Sequence, residues 1–179
     1  MTAATKEQRP MPNVWFRLMA LEYKARSKPP LAVEALKDAG VAAGASVLDF
    51  GCGPGRYTIP AAFIAGSKGV VYAVDVHPLA IRMVGKAARR SALGNIRLIQ
   101  SSCATGLESA SVDVAFLFDT LHDVRNKEAV LQEIRRVLKQ DGRLLYRDHT
   151  LNGPQLVELM RSNGFGLHDE SGRQYFVKL

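Results

Sequence analysis

Cysteine is scarce in this chain, with two in 179 residues, Cys52 and Cys103. That excludes a disulfide framework, and both are read as free thiols. No cluster of further ligands accompanies them, so no metal site is expected. Long apolar runs are also missing. None approaches the ~20 residues that cross a bilayer, so no membrane span is expected. The N-terminus, MTAATKEQRP, lacks the apolar centre of a secretion signal. A cytoplasmic protein is therefore the expectation. Internal repeats and low-complexity segments are absent too. Basic residues outnumber acidic ones, 24 to 17, for a net charge of +7. Yet no run of adjacent basic residues stands out. Lys86, Arg89, Arg90, Arg135, Arg136 and Lys139 are spread over expected helices, so solvated faces are favoured over a nucleic-acid surface.

What is present is enough for one domain with a substantial core. Strands and helices are expected to alternate. Residues 1–13 read as a loose tail, and 14–26 as a helix with Trp15, Leu18, Met19 and Tyr23 near helical spacing. Lys28-Pro29-Pro30 interrupts it. A second helix covers 31–39 and stops at Gly40. Strands follow at 46–50, 70–75, 96–101, 112–118 and 143–146, separated by helices at 57–65, 78–93 and 127–139. Pro78 opens the second of these at a position where proline is tolerated. The 112–118 run is almost wholly apolar, as a strand covered on both faces should be. A last helix at 155–162 precedes two short strands around Ser171-Gly172, an expected hairpin. This order predicts an α/β, three-layer fold with a mainly parallel seven-stranded sheet and a C-terminal antiparallel hairpin. Right-handed crossovers bring the loops after Phe50, Asp75, Ser102 and Phe118 to one edge of the sheet, where ligands bind in such folds.

The first of those loops is rich in glycine: Asp49-Phe50-Gly51-Cys52-Gly53-Pro54-Gly55. Glycines there let backbone pass tightly beneath a ligand. The next strand ends in Asp75, whose carboxylate suits the two hydroxyls of a ribose. A phosphate-binding P-loop would need a lysine that 51–58 lacks. A dinucleotide fingerprint would need a third glycine where Arg56 stands. Asp49, placed before the glycines, suits a ligand carrying positive charge better than a pyrophosphate.

These residues resemble the first motif of the class I S-adenosylmethionine-dependent methyltransferases. Val71-Tyr72-Ala73-Val74-Asp75 is similar to their second strand with its ribose-binding acid. Ser111-Val112-Asp113-Val114-Ala115-Phe116 resembles the fourth-strand motif, and Leu138-Lys139-Gln140-Asp141-Gly142-Arg143 the turn before the fifth strand. Within that group the chain is most similar to the small-molecule branch containing the ubiquinone/menaquinone C-methyltransferases. The resemblance implies a Rossmann-like domain over 31–179, with 1–30 forming a tail and lid helix. It implies S-adenosyl-L-methionine as cofactor. Gly51, Cys52, Gly53 and Gly55 would underlie its methionine and ribose parts, and Asp49 would order that loop and face the amino group. Asp75 would hold the ribose, and Val76 and His77 would flank the adenine. Ser102 and Cys103 fall at the adenine edge, Ser102 replacing an acid usual in the family, and Asp119 lies near the methionine part.

Methyl transfer from a sulfonium needs positioning and exclusion of water, and a base only where the acceptor loses a proton. His122, beside Asp123, is the candidate base, or else it lines the pocket. His149 is a candidate substrate contact. Small size explains Cys52 between two glycines, and two cysteines argue against the arsenite methylation that uses more. Trp15, Phe16 and Tyr23 fit either a lid over the site or a helix face packed on the sheet. Only eight residues, 147–154, separate the fifth strand from the last helix, so no acceptor cap fits there. The acceptor pocket would then be completed by the N-terminal segment or a second subunit in a homodimer, or stand open to a large partner. A small-molecule acceptor is expected. RNA or protein as acceptor, or a non-catalytic binding module, are the alternatives. No Asn/Asp-Pro-Pro-aromatic motif follows the fourth strand, which disfavours a base amino group.

Overall fold

The computed structural model describes residues 10–26, 29–170 and 173–179. Lys28, Ser171, Gly172 and the side chain of Tyr23, all named above, lie outside what is described.

Helices α1 (Asn13–Arg26) and α2 (Pro29–Asp38) precede strand β1 (Ser46–Phe50). Then come α3 (Thr58–Ala65), β2 (Val70–Asp75), α4 (Pro78–Arg90), β3 (Ile96–Gln100) and β4 (Val112–Phe118). A single 3-10 turn, Leu121–Asp123, leads to α5 (Lys127–Val137), β5 (Leu138–Arg147), α6 (Gly153–Ser162), β6 (Phe165–Glu170) and β7 (Arg173–Lys178). The seven strands run in the order β3-β2-β1-β4-β5-β7-β6. The first five are parallel, and β7 is antiparallel to both β5 and β6. The expected parallel sheet with its C-terminal hairpin is therefore observed.

Strand alternation builds a core on each side of the sheet. Val47, Val71, Val114 and Phe116 pack with Leu36, Ala61 and Ala62 from α2 and α3. Leu48, Val74, Ala115 and Leu117 pack with Val130, Leu131, Ile134, Leu156 and Met160 from α5 and α6. β4 is the middle strand of seven, which is why its sequence is apolar at successive positions.

The two largest departures from the expected boundaries have local reasons. α4 stops at Arg90, before Gly94, because Ser91 leaves the helix and Ala92 turns left-handed at φ 52°. β5 begins at Leu138 rather than near 143. Leu138 pairs with Val112 and Arg143 with Val114, so the expected Asp141-Gly142 turn is absorbed as a bulge inside the strand.

Candidate functional site

The chain runs outward from β1 to β3, then returns to place β4 on the other side of β1. The loops after β1 and β4 thus leave the sheet in opposite directions, and a crevice opens between them. A cavity of about 310 Å3 occupies this edge, at the lower end of the ~300–1,000 Å3 typical of ligand pockets. The loops after β1, β2, β3 and β4 all line it, as expected, and Phe16 and Met19 of α1 close one side.

Gly51, Cys52 and Gly53 line the cavity. The N–H groups of Gly51 and Cys52 both donate to Val74 O, at 2.8 and 3.0 Å, tying the loop to β2. The glycines answer to different constraints. A Cβ on Gly51 would lie 2.2 Å from Thr120 Oγ1, so this position is where the β1 and β4 loops touch. A Cβ on Gly53 would meet nothing within 4 Å. Its bare backbone faces open space, the arrangement a closely approaching ligand needs. Gly55 packs towards Val84 of α4 and does not line the cavity.

Asp49 lies beneath the loop, 2% exposed, and does not line the cavity either. Its Oδ2 accepts a 2.6 Å hydrogen bond from the Thr58 hydroxyl, which links β1 to the first turn of α3. Burial pushes its carboxyl up to about 6, against the lowering effect of Thr58. The Cys52 thiol is buried between Ala73 and Val84, and burial together with Asp49 and Asp75 pushes it well above the ordinary thiol range. It is a small packing residue with no thiolate to offer.

Asp75 sits at the end of β2 and faces the cavity. One oxygen accepts from Gly53 N at 2.9 Å and the other from His77 N at 2.8 Å. Burial raises its carboxyl, and these two bonds partly oppose the rise. Each oxygen keeps further acceptor capacity for paired hydroxyls. Val76, His77 and Ser102 also line the cavity. His77 caps α4 by accepting from Leu79 N through Nδ1, which assigns the proton to Nε2 and a 3.0 Å bond to Met11 O. Its ring stacks on Phe16 at 4.1 Å. Phe16 and Ala20 pack on Ala80 of α4, so α1 rests on α4 and the cavity rim rather than on the sheet, and Trp15 is 65% exposed. Cys103 is half-buried, packs against the core under α5 and does not line the cavity.

Asp119 lines the cavity after β4, in a left-handed conformation at φ 47°. Its N–H donates to Arg147 O at 2.6 Å. Strain of this kind in a non-glycine residue collects at functional sites. His122 does not line the cavity. Its Nδ1 lies 2.8 Å from Asp148 Oδ2, whereas Asp123 is 3.5 Å from Nε2. Asp148, beyond the end of β5, is the residue that orients the ring, and sequence reasoning passed over it. Its carboxylate also accepts from the N–H groups of His122, Thr150 and Leu151. Burial pushes its carboxyl up, but these bonds outweigh burial and hold it below the ordinary value. His149 stands edge-on to His122 and contacts Asp119 at 3.2 Å.

His122, Asp148 and His149 hold ligand-type atoms within 4.8 Å of one another, a grouping that only the fold assembles. The four hydrogen bonds on Asp148 occupy its carboxylate and hold His122, while His149 meets His122 only edge-on and bonds to Asp119 instead. The run Arg147-Asp148-His149 was visible as a polar strand end. The strand-end rule used for β1, β2 and β4 would have found it.

A family model described as a methyltransferase domain matches residues 42–171. The chain belongs to this methyltransferase-domain family. It is similar to a probable cobalt-precorrin-6B C(15)-methyltransferase (decarboxylating) of Sulfolobus acidocaldarius, with 32% identity over 112 residues, 62% of this chain and 58% of that protein. It is similar to a ubiquinone/menaquinone biosynthesis C-methyltransferase of a Marinomonas species, 32% identical over 113 residues, 62% of this chain and 45% of that protein. The matched stretch thus spans about half of these curated relatives. The crystal structure of a SAM-dependent methyltransferase from Aquifex aeolicus superposes with a TM-score of 0.74, covering 93% of this chain and 96% of that one at 22% identity, and so shares the fold.

Proposed function

We propose that the chain transfers a methyl group from S-adenosyl-L-methionine to a small-molecule acceptor. The observation that carries this reading is the pairing of Asp75 with Gly53. Asp75 is fixed at the cavity wall by the Gly53 and His77 N–H groups, beside a glycine whose missing side chain opens onto the cavity. A nucleoside fits there, with its ribose hydroxyls on Asp75, its base beside Val76, His77 and Ser102, and its aminoacyl end towards Asp119. When bound, the cofactor supplies a sulfonium-activated methyl. The protein supplies the remainder. Asp75, Asp119 and Asp123 make the cavity wall acidic, which favours a cationic ligand. Asp49 acts from below by holding Thr58 and the loop. Phe16 and Met19, as parts of a lid, exclude water.

His122 stands beside the cavity, next to Asp123 in its wall, and is the base where the acceptor extends past that wall and must lose a proton. Its Nδ1–H is held by Asp148, which leaves Nε2 as the acceptor end. Nucleic acid is not favoured as acceptor. Arg136 and Lys139, two of the basic residues, are paired with Glu133 and Asp113 on the protein's own surface. No described helix is long and apolar enough to cross a membrane.

Incubation of a cell extract with the protein and methyl-tritiated S-adenosylmethionine tests the reading. Label should enter the low-molecular-weight fraction. Label confined to RNA or protein, or no S-adenosylhomocysteine at all, would reject it.

A further inference from the structure

One side of the cavity is built unlike the rest. Arg56, Tyr57 and Phe118 line it, and Arg147, the last residue of β5, lies outside the lining but against the Tyr57 and Phe118 rings. The Arg147 guanidinium lies 5.5 Å from the Tyr57 ring centre and 5.3 Å from that of Phe118, and it donates to the Tyr57 hydroxyl. Arg56 lies 5.5 Å from the same Tyr57 ring. The aromatic base is rigid, because Tyr57 meets Phe118 edge-on at 4.7 Å and Phe118 stacks on Phe116 at 5.3 Å. Two cations are thus gathered on one ring beside an otherwise acidic cavity.

The neighbouring acids do not neutralise Arg147. Asp119 turns to His149 and Asp148 to His122. Among the described residues, Arg147 pairs with no carboxylate. A guanidinium carries five N–H donors in a planar fork, and the contact to Tyr57 uses part of it. Aromatic faces hold the fork in one orientation, which lowers the entropy cost of using it. A planar carboxylate is the group that matches such a fork. Arg147 also stands at the β5 end, away from the β2 loop where Asp75 would hold the nucleoside.

We propose that Arg147, seated on Tyr57 and Phe118, is a carboxylate-binding subsite for the methyl acceptor. The acceptor is then a small molecule bearing a carboxylate on an apolar body, the apolar part lying against Phe118 and Val124 in the cavity. This rests on the methyltransferase reading above.

The test uses protein saturated with S-adenosylhomocysteine, titrated in parallel with 2-naphthoate and with its neutral isostere 2-naphthamide. Naphthoate should bind roughly tenfold or more tightly than the amide, the scale of a charge-assisted pair. Arg147→Met should erase that preference and leave S-adenosylhomocysteine affinity within about twofold. Arg147→Lys keeps the charge without the fork, should keep part of the preference, and serves as the readout if the methionine variant fails to fold. Equal binding of the two probes to the wild type overturns the subsite. So does an Arg147→Met loss of affinity for S-adenosylhomocysteine but not for 5′-methylthioadenosine, since the arginine would then hold the cofactor's own carboxylate. Failure of S-adenosylhomocysteine to bind in the first step would instead overturn the methyltransferase reading itself.

Discussion

A methyl group on Gly51 would sit 2.2 Å from Thr120 Oγ1, and the residue holds φ 81°. Gly51→Ala therefore meets both backbone strain and overpacking, and should cost roughly 2–5 kcal/mol, read as a lower urea midpoint. Asp49 makes a different contribution. Burial raises its carboxyl to about 6 in the fold, from 3.8 for an ordinary aspartate. Between those values the native state binds more protons than the unfolded one, so stability falls as pH rises through about 4 to 6. The loss is on the order of 3 kcal/mol. Asp49→Asn should abolish this part of the pH dependence, so the difference in stability between variant and wild type should change over that window. A constant difference from pH 4 to 7 would contradict the assignment. His122 and Asp148 belong together. If the histidine is the base, His122→Asn should lower kcat at least tenfold with S-adenosylhomocysteine affinity unchanged, while Asp148→Asn, which only releases the ring, should lower kcat less. An unchanged kcat in His122→Asn would leave the ring a structural role only. None of this pairing was legible in the sequence. His122 was a candidate because it follows a strand end, but its partner is 26 residues away and only the β4–β5 register brings it near.

At the scale of elements, the strands that carry the site were legible and their surroundings less so. β1, β2 and β4 fall on the expected residues because buried parallel strands are apolar runs bounded by polar or glycine-rich turns. β5 was misjudged at its start, since a bulge and a turn share the sequence Asp141-Gly142. α1 was legible as a helix, but not its partner. Its inward residues, Phe16 and Ala20, meet α4 and His77, while Val14, Trp15, Leu18 and Leu21 face outward. Spacing alone cannot say which stripe is buried when both are apolar. His77 is the joint between the two helices, capping α4 and receiving the chain at Met11. His77→Ala should cost about 1 kcal/mol through the lost cap and loosen α1. Hydrogen exchange should speed up over residues 13–20 and stay unchanged in α5. Equal acceleration in both helices would mean that His77 supports the whole fold rather than this joint.

Across the whole molecule, the order β3-β2-β1-β4-β5 does what no single motif does. It sets the glycine loop, Asp75 and Asp119 around one crevice, while Arg147 at the β5 end lies against Tyr57 of the same wall. The alternation of elements made that sheet legible, and with it the edge where a ligand would lie. Which strand-end residues enter the cavity depended on packing. Asp49, Gly55, Cys103 and His122 sit beneath or beside it, while Tyr57 and Phe118 enter it. The claim at the centre is that this crevice holds a nucleoside bearing a sulfonium. Titration calorimetry with S-adenosylhomocysteine tests it most directly. Saturable one-to-one binding is expected, weakened roughly 10–100-fold in Asp75→Asn, the loss that follows when charge-assisted hydrogen bonds are removed. No binding by the folded wild type, or equal affinity in Asp75→Asn, would contradict it.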